Sequence, residues 1–199
     1  MSDSHHKHTG QHEHAGQHEH ATGMYLRFGA MILTAMVVMY AVMFFSAYEW
    51  SHVRWSESRV FMALTMGGTM GLIMLAWMLN MYRNAKANIA IVVVSLLLLG
   101  GGTYLDRSQV TVHDAAYMRA MIPHHSMAIT RSENAQLRDV RVCDLARSIS
   151  QSQREEILEM DWLIEDVRNN GPATTAEDAA TRPVPSFDES AERVCDVGE

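Results

Sequence analysis

Cysteine and proline are scarce, two and four among 199 residues, and no Cys-x-x-Cys pair occurs. Without that spacing neither a redox dithiol nor a cysteine-rich zinc module is present. Positive charge is also short: Lys and Arg number 16 against 23 Asp and Glu, and from Asp106 onward 10 against 18. No basic stripe exists, which excludes nucleic acid as a partner, because phosphate binding needs clustered cations. Charge of either sign nearly vanishes between Met24 and Leu105, where five basic and two acidic residues stand at the edges of three apolar runs.

Those runs cover residues 25–48, 60–81 and 89–105. At ~1.5 Å per residue they suit a hydrocarbon core of ~30 Å, the third being near the short limit, so three membrane spans are predicted. The first is too long, and lies too far behind a polar tail, for a cleaved signal peptide. Between spans two and three the loop carries Arg83 and Lys86 without any acid, whereas the first loop mixes Arg54 and Arg59 with Glu49 and Glu57. The positive-inside rule then places the N-terminus in the cytoplasm and everything after the third span in the periplasm, across the inner membrane. Trp50, Trp55, Tyr48, Tyr82 and Tyr104 mark span ends as an aromatic belt. Both Cys143 and Cys195 fall on the outer side, where an oxidising compartment allows them to pair or to remain two thiols.

After the spans the chain reads as an antiparallel helical hairpin, giving an all-α protein. Apolar spacing predicts one helix over 111–136, with Pro123 kinking or re-initiating it, and a second over 139–169 stopped by Asn170, Gly171 and Pro172. The expected stripe of the second helix is Val142, Leu145, Ala146, Ile149, Gln153, Glu156, Met160, Leu163 and Val167. Four regions follow: a disordered His-rich tail (1–23), a membrane domain (24–105), the hairpin (106–170) and a flexible acidic tail (171–199). A lone hairpin buries too little surface, so a homodimer is expected.

Met118, Met121 and His125, at i, i+3 and i+7, share a helix face beside His124. An antiparallel register brings Gln153, Glu156 and Met160 opposite them. A carboxylate on an apolar stripe needs a partner. Thioether with imidazole favours copper, Cu(I) above all, over calcium or magnesium, so Met118, Met121, His124, His125, Glu156 and Met160 are candidate ligands, with Gln153 and His113 as groups that orient them. Core filling by methionine and a plain His–Glu hydrogen bond are the competing explanations.

The run DAAYMRAMIPHHSMAI, followed by LARSISQSQREEILEMDWLI, resembles the domain-of-unknown-function 305 family, with its Met-Ile-Pro-His-His motif and later Gln-x-x-Glu-Ile. The resemblance implies half of a ferritin-like four-helix bundle, export, and for some members copper binding and tolerance. It carries over to Met121, Pro123, His124, His125, Gln153, Glu156 and Met160. Many relatives hold two hairpins in tandem where this chain has one, which favours pairing between chains.

His5, His6, His8, His12, His14, His18 and His20 crowd the N-terminal tail, which can chelate Cu(II), Ni(II) or Zn(II). Met62, Met66, Met70, Met74 and Met78 recur every four residues in the second span, a row that winds around the helix and suits packing beside Gly67 and Gly71 better than a metal relay. The leading expectation is a membrane-anchored protein that captures or buffers copper at the periplasmic face and hands it to an export partner. A ferritin-like metal oxidase and a metal-free dimerisation module are the alternatives. The oxidase reading finds no Glu-x-x-His pair on the hairpin, where a di-iron centre uses several, which argues against an enzyme.

Overall fold

The computed structural model describes residues 7–190, with side chains from Thr22 onward. His5, His6 and Cys195 lie outside the described residues, as do the side chains of His8, His12, His14, His18 and His20, so the chelating role expected of the tail falls there. The described chain forms α1 (Lys7–Val42), α2 (Glu57–Met78), α3 (Ala85–Ser108), α4 (Asp114–Asn134), α5 (Val140–Asn170) and α6 (Ala176–Thr181), with a 3-10 turn at Trp50–His52. No strand occurs among the described residues. Two compact units result, Met1–Tyr40 with Val60–Ser108, and Ala41–Arg59 with Gln109–Glu199.

In the first unit Thr22–Val42, Glu57–Met78 and Ala85–Ser108 are long and apolar enough to cross a membrane. Large apolar side chains such as Leu33, Val37, Trp77 and Leu97 face outward, as lipid-exposed helices require. The backbone of α1 begins at Lys7 and so takes in much of the segment expected to be disordered, a continuation that is cheap once the span has nucleated the helix. The first span ends at Val42, six residues before its expected limit, because Met43–Tyr48 belongs to the other unit.

Small residues bring α2 and α3 together: a Cβ built on Gly68 would stand 2.5 Å from the Ser95 carbonyl oxygen and 2.6 Å from the Leu99 nitrogen. Gly67, expected to pair with Gly71 in one contact, instead meets the Met36 side chain of α1, while Gly71 meets Ser95. The methionine row divides as its winding demands: Met74 and Met78 pack on the Phe28–Leu75–Tyr82 cluster, and Met62 and Met66 are exposed. At one end the Tyr25 hydroxyl donates to Asn88 Oδ1 (2.8 Å) and accepts the Asn84 N–H (3.1 Å).

In the second unit α4 and α5 form the antiparallel hairpin. His113 occupies the N-cap position of α4 without a side-chain capping bond, and Asp114 opens the helix with the sign of charge that suits its N-terminus. The helix runs on through Pro123 without re-initiating, its ring fully buried. Asp139 caps α5 by accepting the Arg141 N–H, and Gly171, at φ 77°, ends it as expected. The buried face of α5 is rotated from the expected stripe: Cys143, Ala146, Ser150, Ile157 and Met160 are inside, while Val142, Leu145 and Ile149 are exposed. The cause is Glu133, a buried carboxylate of α4 that draws Ser150 and Arg154 toward it. Where composition indicates a flexible tail, Thr175 caps α6, and Arg182 returns to Asp166 and the Gly171 carbonyl.

Gly68→Ala should lower the stability of the full chain by ~1–3 kcal/mol, the usual range for overpacking, because the obstructing atoms are backbone. Gly100→Ala, with nothing near its Cβ, should be neutral or slightly stabilising; thermal unfolding in one detergent compares the two.

Candidate functional site

The hairpin seam sets His125 opposite Glu156, with Nε2 2.6 Å from Oε2. His125 is 10% exposed by side chain and Glu156 43%, so the ring is buried and the carboxylate reaches the surface. The other ring nitrogen, Nδ1, is 2.9 Å from the Met121 carbonyl one turn earlier, and that oxygen can only accept. Nδ1 therefore carries hydrogen, and a single further proton must lie between Nε2 and the carboxylate, whichever of them owns it. Gln153 Nε2 also donates to Oε2 (3.2 Å), and Ser152 Oγ donates to Oε1 (2.9 Å), which aims the carboxylate at the ring. His124 is exposed beside His125, their ring centroids 5.9 Å apart.

The three methionines form the adjoining layer. Met118 and Met160 are buried with Ile122, Ile129 and Ile157, and Met121 packs on them. On each helix the step from Met121 to His125, or from Met160 to Glu156, is one turn, or ~6 Å along the axis. Met118 and Met160 also line a cavity of about 510 Å³, walled by Tyr117, Leu163 and, from the chain after α5, Arg182 and Val184. The expected residues thus fall into a thioether layer and an imidazole–carboxylate layer. His113 does not join them: it is an exposed N-cap twelve residues before His125, ~18 Å along the axis. Among the described residues no group of three or more His, Cys, Asp or Glu comes together as a metal site.

A segment that the sequence reads partly as the end of the first span and partly as a loop covers the opposite flank of the hairpin. The Tyr48 N–H donates to Ser126 Oγ (2.7 Å), and Ser126 Oγ in turn lies 3.0 Å from His52 Nδ1. The Ser126 hydroxyl accepts that amide and retains its O–H, which it can donate to a neutral His52 ring. The Tyr48 ring lies under Arg154 (4.7 Å), which donates through Nη2 (2.8 Å) and Nε (3.2 Å) to Glu133 Oε1, while Arg54 pairs with Asp161 (3.3 Å). Glu133 and Arg154 are 1% and 12% exposed by side chain. Their signal in the sequence is faint: Ser126 completes the histidine motif, and Glu133 sits at the end of an apolar pattern.

Cys143 is fully buried and disulfide-bonded; the chain's other cysteine, Cys195, lies outside the described residues. These features define an all-α protein that combines three helices apt for membrane crossing with a helical hairpin bearing a buried histidine paired with a half-exposed glutamate. The chain belongs to the family described as Domain of unknown function (DUF305), which matches residues 103–190. It is 35% identical over 104 residues to an uncharacterized protein of Acanthamoeba polyphaga mimivirus, covering 49% of this chain and 68% of that relative. No solved structure matches.

Arg154→Met should destabilise the hairpin by ~3–5 kcal/mol, because it strips a buried carboxylate of its cation, and adding Glu133→Gln should restore part of the loss in denaturant titrations. His52 supplies a pH test. Burial pushes its ring below the usual 6.5, against Glu49 and Asp161, which pull it up, and with Arg54 and Arg154, which push it down. A depressed folded value means that docking contributes fully above 6.5 and loses that contribution as the pH falls through the lowered value. Hydrogen-exchange protection of the Tyr48 amide, corrected for intrinsic rates, should fall on acidification below 6.5 and should become pH-insensitive in His52→Asn.

Proposed function

We propose that the hairpin captures or buffers copper, as Cu(I), at the periplasmic face of an inner membrane in which the three apolar helices anchor the chain. The observation that carries this reading is the proton-bridged His125–Glu156 pair one turn from the thioethers of Met121 and Met160. Soft sulfur donors beside a borderline nitrogen favour Cu(I) over the hard cations, and a thioether needs no deprotonation to bind. A metal ion at Nε2 takes the place of the bridging proton, with Gln153 and Ser152 left to orient the carboxylate. Among the described residues no three His, Cys, Asp or Glu side chains come together as a metal site, so the donor set leans on sulfur.

Three features support the orientation. Arg83 and Lys86 lie in the loop opposite to the hairpin's side of an odd number of spans. Ala41–Arg59 shares a compact unit with the hairpin, as one common side requires. A disulfide at Cys143 fits an oxidising compartment. In this reading the His-rich tail buffers metal on the cytoplasmic side, and an export partner receives or delivers the copper.

The same hydrogen bonds favour a second reading, in which His125 and Glu156 staple the two helices and hold no metal. Titration of the full chain in detergent with Cu(I) against a competing chelator separates the two. Met121→Ala with His125→Ala should weaken binding by about ten- to a hundredfold or more, since loss of an orienting group alone has that effect. Sulfur neighbours at the copper X-ray absorption edge should disappear with Met121→Ala and Met160→Ala. Copper retained unchanged in these variants, with the hairpin less stable, supports the staple.

A further inference from the structure

The three-helix unit contains a groove of about 590 Å³ whose walls are almost wholly apolar. Phe28, Gly29 and Ile32 of α1 form one side, and Gly71 of α2 with Ala90 and Val94 of α3 form the other. Small residues create the space, since a Cβ on Gly29 would meet nothing within 4 Å. At one end stands Tyr25, fixed by its hydrogen bonds to Asn84 and Asn88. Three cations border that end: Arg27, next to Phe28 in α1, and Arg83 and Lys86, on either side of Asn84 and its neighbour Ala85. All three are exposed, and none has an ion pair or hydrogen bond among the described residues. No acidic residue lies between Met24 and Val42 or between Val60 and Leu105 to neutralise them.

An apolar slot that opens beside uncompensated positive charge at the end of a membrane span matches one ligand class in both of its parts. We propose that the groove is a binding site for an anionic phospholipid, with an acyl chain along Phe28, Gly29, Ile32, Gly71, Ala90 and Val94 and the phosphate among Arg27, Arg83 and Lys86. Basic pockets between membrane helices recognise lipid headgroups by this combination. Tyr25 and the two asparagines tie α1 to the start of α3, so the segments that carry the three cations are held together beside the slot. Phosphate supplies the counter-charge that the protein lacks there, and the chain fills a space that the three helices leave open. The site is independent of the hairpin and of any metal.

The test uses the full chain in mild detergent, with native mass spectrometry of bound phosphatidylglycerol and phosphatidylcholine. The wild-type chain should retain phosphatidylglycerol in preference. Arg83→Ser with Lys86→Ser should weaken its retention about thirtyfold, from roughly fivefold for each cation near a lipid surface, and leave phosphatidylcholine unchanged. Gly29→Phe should fill the slot and reduce retention of both lipids. Because Arg83 and Lys86 are exposed, the charge variant remains readable even if Gly29→Phe disturbs the spans. Equal retention of the two lipids by the wild type would overturn the proposal. So would binding of inorganic phosphate as tight as that of the lipid, or a cross-linked pair of chains packed through α1 with no lipid retained.

Discussion

The Tyr48 amide donated to the Ser126 hydroxyl decides which flank of the hairpin is covered. Two helices share one seam and leave two flanks, and a buried hydroxyl in the middle of α4 needs a partner from outside the hairpin. The segment Ala41–Arg59 supplies it, with Tyr48 laid under Arg154, His52 against Ser126 and Arg54 on Asp161. By helical periodicity Ser126, Arg154 and Asp161 lie on one flank, and Met121, His124 and Glu156 on the other. Docking on the first flank leaves the second open, which is why Glu156 stays accessible while its partner His125 is buried.

A second constraint tightens the first. Glu133 and Arg154 are buried ions, and their burial is tolerable only because each satisfies the other and Arg154 also covers the Tyr48 ring. To meet Glu133, α5 turns Ser150 and Arg154 inward, and this rotation carries Ile149 out to solvent. Beyond Cys143 and Ala146 the apolar seam resumes only at Ile157 and Met160, so a polar layer of Glu133, Ser150 and Arg154 interrupts it. His125 and Glu156 stand at the boundary. A proton held between them has thioether and aliphatic surface on one side and an ion-pair network on the other.

The spans were legible because twenty apolar residues without charge have few alternatives, and Gly171 announced the end of α5 for an equally local reason, its positive φ. The pairing of His125 with Glu156 was legible as one of two explanations, a plain His–Glu hydrogen bond beside metal ligation, since an antiparallel hairpin sets the two helix faces together. Three things were not. Periodicity weighs apolar residues, so it assigned Val142, Leu145 and Ile149 to the seam and gave no sign that one buried carboxylate would turn the helix. Hydropathy ran the first span on to Tyr48, since Phe44 and Tyr48 look the same whether they face lipid or a protein core. His113 shared the chemistry of a ligand-orienting group, but a residue at an N-cap is fixed by the helix it begins, three turns from His125.

Membership of the family fixes the hairpin motif, while what this chain adds lies upstream of residue 103. The segment that clasps the hairpin is itself the connection between the first two spans, so the hairpin and the membrane helices are linked twice, through Ala41–Arg59 and through the end of α3. The hairpin meets the first connection through Ser126, Arg154 and Asp161, which contact the Tyr48 amide, the Tyr48 ring and Arg54. The clasp includes a histidine whose pKa burial lowers, so that protonation of His52 opposes the docked arrangement. The covered flank thereby responds to acidity through His52, while the open flank presents His124 and Glu156.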